Sequence, residues 1–130
     1  MKAQTKKKTN SKIRIFTDGA GCRPDGKGSG FAWFREDTGE KKVVREDGLT
    51  NNQAEYRAIL AAIQDLSPGV QVEILTDSQN TSCQLKGEHR VCDPRLADLH
   101  AQIHELIKKK RLVATFTWVP RSLNLAGKLI

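Results

Sequence analysis

Long apolar runs are missing from this sequence, and cysteine and aromatic residues are scarce. Without a run of about 18 apolar residues the chain has no candidate membrane-spanning helix, and without an apolar N-terminal stretch it has no candidate secretory signal. We therefore expect a cytoplasmic protein that has no membrane partner. The 3 cysteines form no C-x-x-C pair, which favours reduced thiols over a zinc site. Hydrophobic residues still reach 38%, which is enough to build a folded core.

Acidic residues are absent from the first 12 positions, which contain 5 lysines. The whole chain has a net charge of +7, so most of its excess positive charge lies in this N-terminal head. A polar, basic segment with few apolar residues predicts a disordered tail over residues 1–12, followed by a single domain over residues 13–130. The tail would add sequence-independent attraction for nucleic-acid phosphates, or serve only to keep the protein soluble.

The rest of the chain alternates between strand-like and helix-like stretches. Runs of β-favouring residues predict five strands, at residues 12–17, 31–34, 43–45, 70–76 and 112–119. Apolar residues at helical spacing predict three helices, beginning at residues 51, 79 and 94. Thr50 and Gln53 form the sequence pattern of a capping box at the start of the first helix. The order β-β-β-α-β-α-α-β predicts an α/β fold, in which a mixed five-stranded sheet is flanked by helices.

Two of the predicted strands end in an aspartate that follows a threonine, Asp18 and Asp77. If these strands are parallel neighbours, both carboxylates lie at the sheet edge where ligands gather. Glu55, beside the apolar stripe of the first helix, is placed to join them. Taken singly, each aspartate is typical of a turn or cap, and the glutamate of a residue that answers the helix dipole. Together the three predict an oxygen-only site for Mg²⁺ or Mn²⁺.

Four sequence blocks occur in an order and spacing that resembles the ribonuclease H type 1 family. They are TDGA at 17–20, NNQAEY at 51–56, TDSQ at 76–79 and WVPR at 118–121. The resemblance covers residues 13 to about 126, and the short length is similar to archaeal and bacterial members without a basic protrusion. It implies a ribonuclease H-like fold, whose last helix is short or missing in this sequence.

The resemblance also implies a function. It implies an endoribonuclease that hydrolyses the RNA strand of RNA–DNA hybrids by a two-metal-ion mechanism and leaves 5′-phosphate and 3′-hydroxyl ends. Asp18 would bridge two Mg²⁺ or Mn²⁺ ions, while Glu55 and Asp77 would each complete one coordination shell. The expected partner is the hybrid, with duplex RNA as an open alternative. We expect a monomer with no obligatory protein partner.

The sequence departs from the family at the fourth carboxylate, an aspartate that usually follows the WVPR block in the phrase N-x-x-A-D-x-L-A. No acid follows Glu105 in this chain. One alignment puts Gly127 at the ligand position and another, with one residue deleted, puts Asn124 there. We favour Asn124 as a catalytic and metal-binding residue, because an amide carbonyl can coordinate a hard cation. The missing acid leaves open a catalytically weak or inactive hybrid- or RNA-binding module. The final helix, which looks cut short at Ile130, leaves open a domain detached from a larger polymerase- or integrase-like protein.

Five residues are candidates for substrate binding. Asn51, Asn52 and Gln79 carry donors and acceptors suited to the 2′-hydroxyls that distinguish RNA from DNA, although one of the two asparagines alternatively caps the helix. Gly19 leaves room for RNA phosphates near the backbone. Arg121 assists phosphate binding or product release, or else contacts only solvent or a carboxylate.

The basic run at residues 108–111 has two interpretations. It grips the substrate, or it complements the negative end of the helix dipole. Trp33 and Trp118 lie in predicted strands, where we expect both to pack in the core.

Overall fold

The computed structural model describes residues 12–130, so the predicted basic tail, apart from Lys12, lies outside the described residues. The single-domain assignment stays a prediction. Strands are found at β1 (Ile13–Ala20), β2 (Gly30–Arg35), β3 (Lys41–Arg45), β4 (Gln71–Thr76) and β5 (Val113–Trp118). Helices are found at α1 (Asn51–Gln64), α2 (Gln79–Lys86) and α3 (Pro94–Lys109). The predicted element order is confirmed. Two short 3-10 helices, Arg121–Leu123 and Leu125–Lys128, follow β5 where the last α-helix was expected to be short or missing.

The five strands form one mixed sheet in the order β3-β2-β1-β4-β5. The β1–β2 and β2–β3 pairs are antiparallel, while the β1–β4 and β4–β5 pairs are parallel. Thr17 lies opposite Thr76 in the β1–β4 ladder, so the residue after each of them reaches the same sheet edge. Within residues 12–130, none of the helices is long and apolar enough to cross a membrane.

The prediction that β1 ends at Asp18-Gly19 was one residue short. The strand continues to Ala20, because Asp18 and the two residues after it stay paired with β2 after β4 has ended. Asp18 therefore stands at the end of the parallel ladder but still inside the antiparallel one. Its backbone is held on one side, which orients its side chain more firmly than a loop would.

The capping box at the start of α1 is confirmed. The Thr50 hydroxyl accepts a hydrogen bond from the Gln53 backbone N–H, and the Gln53 side chain accepts one from the Thr50 N–H at 2.9 Å. The alternative that Asn51 or Asn52 caps this helix was wrong, since both lie within it.

The core lies between α1 and the sheet. Tyr56, Ile59 and Ile63 of α1 belong to one buried cluster with Ile15 of β1 and Ile74 of β4, and none of them is more than 1% exposed. Burying side chains of this size contributes roughly 2 kcal/mol each. This packing holds α1 against the two central strands, which carry or precede the candidate acids.

Lys110, in the basic run at 108–111, is not free to grip a substrate. Its Nζ donates to the backbone oxygens of Ile63, Gln64 and Leu66, at 3.1, 2.5 and 2.9 Å. These carbonyls lie at the C-terminal end of α1, where the helix leaves acceptors without partners. The lysine therefore caps the C-terminal carbonyls of α1, a role that neither interpretation of the basic run predicted.

Replacing Lys110 by methionine is expected to lower the free energy of unfolding by about 1–2 kcal/mol, because three carbonyls lose a charged donor. Lys109→Met is the matched control, since Lys109 is exposed and one position away. Urea denaturation of both variants measures the difference. Equal stability of the two variants would contradict the capping role.

Candidate metal centre

Three acidic side chains from three separate elements converge at one edge of the sheet. Asp18 comes from β1, Glu55 from α1, and Asp77 directly follows β4. One carboxylate oxygen from each lies within 4.8 Å of the other two. In the part of the chain that the structure describes, no other group of three or more acidic, histidine or cysteine side chains is arranged in this way.

Gly19 explains how the helix comes this close to the strand. A Cβ atom at Gly19 would lie 2.3 Å from the carbonyl carbon of Ala54 and 2.5 Å from the backbone nitrogen of Glu55. The space that glycine leaves is thus filled by the backbone of α1, while the approach of RNA phosphates to the Gly19 backbone stays a prediction. Glu55 is the fifth residue of α1, beyond the first turn, so an interaction with the helix dipole does not explain it.

The electrostatics of the acid cluster are unfavourable without a cation. Burial, together with the charges of Asp18 and Asp77, raises the pKa of Glu55 to about 9. Burial and the charge of Asp77 raise the pKa of Asp18 to about 6, although the Gly19 N–H and Arg121 oppose the shift. The Oε1 atom of Glu55 is buried without a hydrogen-bond partner in the described structure. Buried polar atoms normally have one, so this oxygen fits a divalent cation.

The stability of the metal-free protein is expected to fall as pH rises from about 4 to about 9. Asp18 and Glu55 have raised pKa values in the folded state, so the unfolded chain ionises first and is stabilised relative to the folded chain over this range. The affinity for a divalent cation should rise over the same range, because ionised ligands bind it and the protons are released. Thermal denaturation at several pH values, in EDTA and in Mg²⁺, measures both trends.

Glu55→Gln provides the control for this pH dependence. The amide keeps the size of the side chain but does not ionise. In EDTA, the stability of this variant should therefore fall much less above pH 6 than that of the native chain. An equally steep decline in this variant would show that other groups cause it.

Asn124 lies beside the cluster, but its orientation does not fit the predicted role as a metal ligand. Its Nδ2 donates to the backbone oxygen of Thr17 at 2.9 Å and to Oδ2 of Asp77 at 3.1 Å. Its carbonyl oxygen accepts from the Ala126 N–H at 3.1 Å. The amide nitrogen, not the oxygen, therefore faces the acids.

A cleft of about 430 Å³ opens beside the acids. Three of the predicted substrate-binding residues line it, Gly19, Asn51 and Arg121. Asn52 and Gln79 are exposed but do not line this cleft. Sequence reasoning missed several other lining residues, among them Ala20, Ser122 and Lys128, while Gly127, the alternative candidate for the fourth ligand position, also lines it.

Asn51 and Arg121 are held very differently. The Gly21 N–H donates to Oδ1 of Asn51 at 2.7 Å, so the glycine-rich loop orients this amide. Arg121 places its Nε 4.0 Å from Oδ2 of Asp77, and its side chain is 87% exposed. At this distance, and with the arginine side chain exposed, the pair contributes little to stability, which leaves the guanidinium available to other anions.

The expectation for the two tryptophans is half correct. Trp33 is buried, but Trp118 is 41% exposed and donates from Nε1 to the backbone oxygen of Asp77 at 3.1 Å. β5 is an edge strand of the described sheet, so its last residue has a neighbouring strand on one side only. An exposed indole is thereby attached to the segment that carries the third acid.

Comparisons with known proteins agree on one family. Residues 10–120 match the family described as RNase H. The chain is similar to LC11-RNase H1, isolated from compost, at 29% identity and a TM-score of 0.81, with 91% of each chain covered. LC11-RNase H1 in complex with an RNA/DNA hybrid also matches, at 29% identity and a TM-score of 0.79, over 91% of this chain and 93% of that one. RNase H1 from the halophilic archaeon Halobacterium salinarum NRC-1 matches at 28% identity and a TM-score of 0.78, over 92% and 93%.

Proposed function

This chain belongs to the RNase H family, and from this premise we propose that it hydrolyses the RNA strand of RNA–DNA hybrids with Mg²⁺ or Mn²⁺ held by Asp18, Glu55 and Asp77. The enzyme class, a ribonuclease H hydrolase, follows from membership of the family. The metal-binding residues, the number of ions and the reaction products are parts of the proposal.

The convergence of the three carboxylates is the observation that carries the proposal. They offer only oxygen donors, they repel one another, and one oxygen of Glu55 lacks a partner. Two divalent cations bound there would activate the attacking water and stabilise the leaving 3′-oxygen, which yields 5′-phosphate and 3′-hydroxyl ends. As the resemblance to the family implies, Asp18 would contribute to both ions, while Glu55 and Asp77, each with an oxygen within 4.8 Å of it, would each complete one.

The groups around the cleft suit a hybrid substrate. Asn51 is oriented through its carbonyl oxygen, which leaves its N–H₂ group to donate to a 2′-hydroxyl. Arg121 and Lys128 provide positive charge on the cleft wall for phosphates. The complex of LC11-RNase H1 with an RNA/DNA hybrid supports this choice of substrate.

Cleavage of labelled duplexes tests the proposal. We expect the RNA strand of a hybrid to be cut in Mg²⁺ or Mn²⁺ and to survive in EDTA, with duplex DNA intact throughout. Duplex RNA in the same gel tests the second substrate. The proposal fails if the hybrid survives every divalent cation at protein concentrations that bind it.

A second function, binding of hybrids without efficient cleavage, is favoured by one observation. The segment after β5 contains no acid, so the described site has three carboxylates. A shift of hybrid mobility at protein concentrations that give no cleavage in Mg²⁺ or Mn²⁺ would support this alternative.

A further inference from the structure

Asn124 is the buried side chain that links the segment after β5 to the acid cluster. Asn124 is 2% exposed, and its amide makes one bond within its own segment, one to β1 and one to Asp77. Reversing this amide would turn its carbonyl toward two other acceptors, the Thr17 carbonyl and the Asp77 carboxylate. The surrounding groups therefore determine which end faces the acids.

Asn124 also acts on one particular oxygen of Asp77. Its Nδ2 donates to Oδ2, the oxygen that Arg121 approaches at 4.0 Å. A carboxylate oxygen that accepts from a buried amide is held in place, and the other oxygen stays available. The side chain of Asp77 is only 3% exposed, so this contact restricts it strongly.

A side chain at position 127 would point at Asp18. A Cβ atom built on Gly127 would lie 3.3 Å from Oδ2 of Asp18 and 3.9 Å from Cβ of Asn124. Gly127 is not among the glycines with positive φ, so its backbone accepts other residues. The atom nearest to this Cβ position is Oδ2 of Asp18, at the end of a side chain that can move by a few tenths of an ångström.

We propose that Asn124 is a positioning residue that orients Asp77 by donating a hydrogen bond, and that Gly127 leaves one side of the cation site without a protein ligand. This inference rests on the proposed function, because it concerns the metal that the three acids would hold. Gly127 lines the cleft, so water or substrate oxygens would have to supply the ligands that the protein does not offer there. Without them, the chain alone would hold a cation on that side weakly.

Two substitutions separate this assignment from the one in which Asn124 is a ligand. Gly127→Asp adds a carboxylate beside Asp18, and we expect it to tighten Mn²⁺ binding by about tenfold or more, since ligand charge sets affinity for hard cations. Asn124→Asp replaces a donor by an acceptor that faces two acceptors, so it should weaken Mn²⁺ binding. Gly127→Asn is the matched control, because asparagine is as large as aspartate but carries no charge. This variant should bind Mn²⁺ like the native chain.

Calorimetric titration with Mn²⁺ alone, on the full chain without nucleic acid, measures these affinities. Thermal denaturation provides a second readout: Gly127→Asp should melt lower than Gly127→Asn in EDTA, because it adds repulsion, and higher in Mn²⁺. Tighter binding by Asn124→Asp, together with no gain for Gly127→Asp over Gly127→Asn, would overturn the assignment. If Asn124→Asp does not fold, the two Gly127 variants decide alone.

The positioning role has its own signature in Asn124→Ala. Loss of the donor should raise the Mn²⁺ concentration for half-maximal binding and lower kcat, while KM for the hybrid stays near the native value. A rise in KM with unchanged Mn²⁺ binding would refute positioning. Because the titrations need no cleavage, a native chain that binds Mn²⁺ but leaves hybrids intact would contradict the proposed function and not this inference.

Discussion

Asn in place of Asp18 is expected to reduce hybrid cleavage by about a thousandfold or more while stabilising the metal-free protein. In the proposed two-ion site, loss of this shared carboxylate would remove several kcal/mol of transition-state stabilisation, and each 1.4 kcal/mol is tenfold in rate. Stability should rise because the pKa of Glu55 is elevated partly by the charge of Asp18. Single-turnover cleavage and thermal denaturation in EDTA measure the two effects in one variant.

The opposite signs of these effects make the prediction specific. A substitution that damages the fold would lower activity and stability together, whereas Asp18→Asn should separate them. Asp98→Asn is the control, because Asp98 is an exposed acid on α3 and the charge change is identical. Cleavage within tenfold of the native rate in Asp18→Asn, or a lower melting temperature in EDTA, would contradict the role given to Asp18.

Gly19→Ala is expected to lower the free energy of unfolding by about 3 kcal/mol and to abolish cleavage. Its methyl group would lie 2.3 Å from a backbone carbon of Ala54, and backbone cannot swing aside as a side-chain end can. Strand β1 and helix α1 must then separate, which moves Glu55 away from Asp18. Urea denaturation and hybrid cleavage test the two consequences.

Gly39→Ala is the matched control for this overpacking. Gly39 has φ of +77° and no atom within 4 Å of its Cβ position, so alanine there costs only about 1 kcal/mol of backbone strain. Its cleavage should match that of the native chain. Equal losses of stability in the two variants would show that contact with α1 is not what requires glycine at position 19.

Local patterns predicted most of the fold. The spacing of Thr50 and Gln53 determined the capping box, because both hydrogen bonds join residues three apart. Helix α2 begins at residue 79, as predicted, and the structure shows that Ser78 caps it locally. The end of β1 was wrong because it depends on β2, a partner that is distant in sequence.

The difference between local contacts and contacts distant in sequence also explains which parts of the candidate site were predicted. Asp18 and Asp77 were recognised because each follows a β-favouring run, and the parallel pairing brings them to one edge. The capping role of Lys110 was not predictable, since its three acceptors lie 44 to 47 positions away. Trp118 was misassigned because a strand pattern alone does not tell an edge strand from a central one.

The amino-acid sequence by itself determined the element order, the three acids and the absence of a fourth, because these depend on residue identity and short-range periodicity. Only the tertiary structure decided that the Asn124 amide faces Asp77 with its nitrogen and that a side chain at position 127 would meet Asp18. Both depend on hydrogen bonds and close approaches between segments more than 40 residues apart. Such contacts depend on how strands and helices pack together, so they cannot be predicted from the sequence of any single segment.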